Sequence, residues 1–285
     1  MGYKCFYHSG DDDGKSSGAI VKAKYPECEL FPINYGEPFP FDKISPKDTV
    51  FVVDYCLEPV SEMVKLNKSC ELIWIDHHKS SIEHVRNAGI NPDGIRTIGR
   101  SGCELTWEFL FHGKRMPLAI YLIGRYDVWD HSDPRTLPFM YGMRMEDTRP
   151  TNDALWENLL WDEPSVLENI LSNGNITFPY QVKEDERLAK GRSFETNFDG
   201  YRAIVMNMGG GSSLAFNSVY DPEKHDIMIA FLYNAGTISV SIYSTKDNVD
   251  ASKIASKYNG GGHAAASGFK FDDAQEFFKL ISVKK

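Results

Sequence analysis

Four short stretches of this 285-residue chain place carboxylates and imidazoles where they could act together: His8, Asp11, Asp12 and Asp13 in "HSGDDDG", Asp54 in "VVDY", Asp76, His77 and His78 in "WIDHH", and Asp127 in "GRYDVWD". Taken singly each has a bland reading. Three adjacent Asp make a solvated turn, Asp54 a helix cap, and Asp127 the polar end of a helix. Taken together they are a mixed oxygen and nitrogen donor set of the kind that suits divalent ions such as Mn²⁺. One bridging Asp can hold two such ions about 3.5 to 4 Å apart, where they polarise a phosphoryl oxygen and lower the pKa of a water.

The elements that must position these residues follow from the hydrophobic pattern. Short apolar runs at 4–8, 28–34, 49–54 and 71–76 read as strands, and amphipathic stretches at 16–24 and 58–69 as helices, which predicts an α/β unit with a mainly parallel, doubly wound sheet. The strands ending at Asp54 and Asp76 put those residues where such sheets collect ligands, outside the carboxyl ends of the strands. Ser101 and Glu104 have capping-box spacing and should open a helix; the next, over 117–130, carries Asp127 toward its end. From Pro134 to Pro179 the pattern is mixed helix and loop. The charged stretch 182–198 reads as a helical connector between a first domain, 1–181, and a smaller α/β domain, 199–285, with strands near 201–208, 225–233 and 237–245 and a short helix at 251–258.

Composition narrows the partners. A formal charge of −9 disfavours a protein that coats long nucleic acid, but leaves room for a short phosphorylated substrate at a locally positive site. Five scattered cysteines without a CxxC pair read as reduced thiols. No run is long and apolar enough for a membrane span, and the expected location is the cytoplasm.

With a fifth stretch, "NGGGHAAASGF" at 259–269, the motifs resemble in type and order the DHH phosphoesterases that carry a C-terminal DHHA1 domain, over nearly the whole chain. The resemblance implies two domains across a cleft and two divalent ions, Mn²⁺ expected and Mg²⁺ or Co²⁺ admissible. His8 and Asp11 would hold one ion and Asp13, His77 and Asp127 the other, with Asp54 bridging. His78 would lie by the scissile phosphate and Asp76 would orient a histidine. Anchoring on Asp13-Gly14 selects Asp11, and a shifted register selects Asp12. In an extended segment, Asp11 and Asp13 would face the metals and Asp12 would face away.

The glycine-rich loop, Gly260, Gly261, Gly262 and His263, would bind substrate, with Ser244 or Tyr243 standing where many relatives have an arginine; Arg100, Arg125, Arg144 and Arg149 are candidate replacements. The implied activity, nearest the oligoribonuclease (nanoRNase) branch, is hydrolysis of short RNA or DNA oligonucleotides or linear dinucleotides to mononucleotides by metal-hydroxide attack on phosphorus. The alternatives are a small-molecule phosphatase acting on pAp, pyrophosphate or polyphosphate, and a catalytically dead binding protein. No membrane and no obligate protein partner is implied, and a homodimer is admissible.

Overall fold

Short, nearly continuous apolar runs in the first half build strands whose two faces both find cover. In chain order the elements are β1 (Tyr3–His8), α1 (Asp12–Lys24), β2 (Glu29–Ile33), β3 (Thr49–Val53), α2 (Val60–Ser69), β4 (Glu71–Ile75), α3 (Lys79–Asn87), α4 (Gly102–Leu110), α5 (Leu118–Asp127), α6 (Thr136–Met143), α7 (Asp153–Leu160) and α8 (Pro164–Arg192). The computed structural model describes residues 2–209 and 212–281, in two compact units that divide between Phe178 and Pro179.

In the first unit the strands form one parallel sheet of order β2-β1-β3-β4. Every residue of β3 is buried, as a central parallel strand requires. Cys5, Tyr7, Phe51, Val53 and Ile75 point to one face and pack against residues of α1, α4 and α5, including Ile20, Val21, Leu105 and Ile120. Phe6, Val50, Val52 and Trp74 point to the other and pack against Met63 and Leu66 of α2 and Val85 of α3. The fold is therefore α/β with a parallel sheet covered on both faces. Because β2 and β3 flank β1, strand order reverses there, and ligands in such sheets bind at that crevice. His8 ends β1, Asp54 follows β3 and Asp76 follows β4.

Two local expectations change. Helix α1 starts at Asp12 instead of near Ser16, because Asp11 accepts the Gly14 N–H at 2.9 Å and caps it. The acidic run is thus a cap and a first helical turn, a position that favours negative charge, and not an extended segment. The second is the connector: only residues up to Arg192 continue α8, while β5 (Ser193–Phe198) pairs antiparallel with the next strand.

The second unit adds β6 (Tyr201–Asn207), β7 (Ile227–Asn234), β8 (Thr237–Tyr243), α9 (Ala251–Ser256), β9 (Gly261–Gly262), β10 (Ala266–Phe271) and α10 (Ala274–Leu280). Its sheet runs β5-β6-β7-β8-β10-β9, with β6 and β7 parallel and the remaining neighbours antiparallel. Val205, Ile229, Val240 and Phe269 share one core with Ile254 of α9 and Phe277 of α10; Met206, Met228 and Ala230 share another with Phe216 and with Ala189 of α8. No described helix is long and apolar enough to cross a membrane. All five cysteines are free thiols.

Candidate metal centre

The carboxyl edge of the parallel sheet gathers the acidic and imidazole groups into two adjoining clusters. In the first, His8 Nδ1 lies 3.1 Å from Asp11 Oδ2 and 3.8 Å from Asp54 Oδ2. Asp11 thus uses one oxygen as a helix cap and turns the other to His8. Asp12 faces away and pairs with Lys15 at 3.5 Å. Gly14 makes this entry possible, since a Cβ there would stand 2.1 Å from the His8 carbonyl oxygen.

In the second cluster His77 Nε2 faces three carboxylates: Asp54 Oδ1 at 3.2 Å, Asp127 Oδ2 at 3.5 Å and Asp13 Oδ2 at 3.7 Å. Asp54 belongs to both clusters, offering one oxygen toward His8 and the other toward His77. It is 1% exposed and holds a left-handed φ of +52°, with its N–H donated to the Ile75 carbonyl. Asp13 is oriented by two backbone donors at the start of α4, Gly102 N at 2.7 Å and Cys103 N at 2.8 Å. The Ser101/Glu104 capping box closes that helix start, and Glu104 takes the Arg125 guanidinium on both oxygens at 2.9 and 2.8 Å, tying α4 to the turn of α5 that carries Asp127. The capping-box spacing announces α4, but nothing in the sequence signals that its first N–H groups hold Asp13.

So many buried acids cannot all ionise unaided. Burial, then Asp54 and Asp127, push the Asp13 carboxyl well above its usual range; burial raises Asp127 to about 7, His77 opposing. Asp54 stays ionised: burial opposes its charge, but His77 and His8 outweigh that and hold its pKa low. Burial likewise disfavours charge on His8 and His77, yet carboxylates lift each to about 10, Asp11 and Asp54 in the first case and Asp54 and Asp13 in the second. Three buried atoms, His8 Nδ1, Asp54 Oδ1 and Asp127 Oδ2, have no hydrogen-bond partner among the described residues. Each cluster, His8–Asp11–Asp54 and Asp13–His77–Asp127, brings one donor atom per residue within 4.8 Å of the others. Unpartnered buried donors and surplus negative charge fit divalent cations, whose binding would displace the protons.

Beside these clusters Asp76 Oδ1 accepts from the His77 and His78 backbone at 2.7 and 3.1 Å and meets His78 Nδ1 at 2.7 Å. That contact sets the His78 tautomer and ring orientation. Burial lowers the His78 pKa, but Asp76 more than compensates and the net shift is upward.

Residues 209–283 match the family model of the DHHA1 domain. Over the whole chain, the PggH pGpG-specific phosphodiesterase of Vibrio cholerae superposes with a TM-score of 0.54 at 13% identity, covering 98% of this chain and 96% of that one. Residues 209–283 thus form a DHHA1 domain, and the chain as a whole shares its fold with that phosphodiesterase. The DHH domain of a member of a family of ribosomal proteins shares the fold with a TM-score of 0.55 at 12% identity, covering 98% of this chain and 85% of that one. In sequence, the uncharacterized protein R106 of Acanthamoeba polyphaga mimivirus is 26% identical over 246 residues, 81% of this chain and 54% of the relative. The chain therefore spans about half the length of that curated relative.

Within the DHHA1 domain the glycine-rich loop is a tight β9–β10 hairpin. A Cβ on Gly260 would stand 2.2 Å from the Gly268 oxygen, and one on Gly262, at φ +134°, 2.7 Å from the Ala266 oxygen. Those two glycines are demanded by the hairpin itself. Gly261 has open space around its Cα, and His263 is exposed, its backbone bonded to Ala266. Ser244 is buried, with its hydroxyl donating to the Asp226 carbonyl at 3.1 Å and accepting from Lys246 N at 3.2 Å, contacts that brace the strand end. Of the four candidate arginines, Arg100 pairs with Glu108, Arg125 with Glu104, and Arg149 with Asp147. Arg144 is exposed and pairs with no carboxylate among the described residues.

Proposed function

We propose that this protein is a two-metal phosphodiesterase, of the oligoribonuclease type, that hydrolyses short oligonucleotides or linear dinucleotides to mononucleotides. The observation that carries the reading is Asp54, whose two carboxylate oxygens face His8 and His77 and so join two donor clusters into one centre. His8 and Asp11 would hold one ion, Asp13, His77 and Asp127 the other, and Asp54 both. Mn²⁺ is the ion proposed. Bound there, divalent cations supply a polarised phosphoryl oxygen and a water acidic enough to attack near neutral pH.

The chain's own residues do the rest. The α4 N-terminus holds Asp13 in place through two N–H groups, and the Arg125–Glu104 pair does the same for the turn bearing Asp127. His78, whose pKa Asp76 raises, would stabilise negative charge on the phosphate or give a proton to the leaving oxygen. In the DHHA1 domain, Gly261 and His263 are the loop positions left for substrate. A net charge of −9 suits a short substrate over a long one. The superposed PggH is named for a dinucleotide substrate, pGpG, which accords with this reading.

Incubating the full chain with Mn²⁺ and, separately, a labelled RNA dinucleotide, pAp, pyrophosphate and polyphosphate tests the proposal. Release of mononucleotides from the dinucleotide is expected. Turnover of polyphosphate alone contradicts it, and neither metal uptake nor turnover of any of the four marks a binding protein.

A further inference from the structure

Helix α5 ends on Asp127, and the next four residues build an aromatic group that the metal clusters do not use. The Trp129 ring lies 4.6 Å from His131 and 6.1 Å from Tyr126, while Tyr126 and His131 stack 5.8 Å apart with planes within 23°. Trp129 is 43% exposed although an indole gains more than most side chains from burial. It also holds a φ of +60°, a left-handed conformation that a bulky residue adopts at a cost. The Val128 and Trp129 N–H groups bond to the Gly124 and Tyr126 carbonyls, so this turn is set by backbone hydrogen bonds that hold the indole outward. An exposed tryptophan thus stands two residues from Asp127, on a turn defined by backbone hydrogen bonds.

Arg144, following α6, adds a cation. Its guanidinium lies 4.0 Å over the Tyr141 ring and 3.4 Å from the Tyr126 hydroxyl. Tyr126 thus touches both the indole and the guanidinium. A flat apolar surface and a cation with donors to spare, side by side, match the two halves of a nucleotide: a base with a π-face and an anionic phosphate.

We propose that Trp129, backed by His131 and Tyr126, is a stacking platform for a nucleobase, and that Arg144 binds a phosphate oxygen of the same nucleotide. The proposal deepens the phosphodiesterase reading and rests on it, since it takes the substrate of that centre to be a nucleotide instead of a chain of bare phosphates.

Isothermal titration of the full chain with adenosine 5′-monophosphate and with ribose 5-phosphate isolates the base. The native protein should bind the nucleotide about 10-fold more tightly, in line with the alanine-substitution effects of base-stacking aromatics. Trp129→Ala should erase that preference without weakening ribose 5-phosphate, Trp129→Phe should keep most of it, and Arg144→Gln should weaken both ligands alike. Should Trp129→Ala fail to fold, Trp129→Gly tolerates the left-handed backbone and carries the same expectation. Equal affinity for the two ligands in the native protein, or a preference that survives loss of the indole, overturns the platform even where the dinucleotide is hydrolysed. A Trp129-dependent preference in a protein that hydrolyses no dinucleotide supports the platform while refuting the reaction.

Discussion

Asp54 holds a left-handed backbone between His8 and His77, and that conformation makes it a clean target. Asn tolerates the left-handed region nearly as well as Asp, so Asp54→Asn should preserve the fold while removing the charge shared by both clusters. Turnover should vanish and the Mn²⁺ stoichiometry, read by titration, should fall below two. The acidic run permits a finer separation. Asp11 is both cap and candidate ligand, and Asn caps helices as well as Asp does. Asp11→Asn should therefore leave the melting temperature of the metal-free protein almost unchanged and weaken metal binding beyond the roughly 10- to 100-fold typical of an outer-sphere partner. Asp12→Asn removes only the contact with Lys15 and should change neither property; a crippled Asp12→Asn protein would mean that the residue at His8 has been misassigned.

At the scale of elements, the centre depends on how closely α4 approaches β3. A Cβ on Gly102 would stand 2.7 Å from that of Asp54, so Gly102→Ala must push the helix start away and take two backbone donors from Asp13. A loss of about 1 to 3 kcal/mol in urea unfolding is expected, as for other overpacked sites, together with weaker metal binding. In the second unit, Asp226 accepts from Arg202 at 2.8 Å and from Lys246 at 2.7 Å, and these cations, Arg202 foremost, hold its carboxyl well below the usual range. A depressed folded-state pKa gives stability that is present above the unfolded value, about 3.9, and is lost as pH falls through the folded one. The stability gap between the native protein and Asp226→Asn should accordingly shrink on acidification below about pH 4, as read by denaturant titration.

These elements also show what the sequence makes legible. Strand ends at Asp54 and Asp76 were readable because short continuous apolar runs stop there, and the α4 start because a capping box announces it. The start of α1 was not, since a run of three Asp looks the same as a loop and as a helix cap until the Gly14 N–H is seen to bond Asp11. Likewise, β5 hides in a charged stretch because an edge strand with half-exposed residues lacks the continuous apolar run of β3. Ser244 and the roles of Gly260 and Gly262 depended on contacts made across the sheet, which spacing does not encode.

For the molecule as a whole, the proposed ions should act as structural ligands as well. Anything that binds the folded state alone stabilises it, by about 2.7 kcal/mol at a free concentration 100 times the dissociation constant. Chelation should lower the melting temperature, Mn²⁺ should restore it, and Asp54→Asn should blunt both responses; a melting temperature indifferent to chelator would argue that the acidic clusters hold no ion. The account's central claim is that one metal centre joined by Asp54 cleaves a nucleotide diester. Its most direct test is to follow a labelled RNA dinucleotide with the full chain, with and without Mn²⁺, beside Asp54→Asn. Mononucleotides formed only with the metal and only by the native protein are the predicted result; cleavage that persists in Asp54→Asn, or none while polyphosphate is consumed, would contradict it.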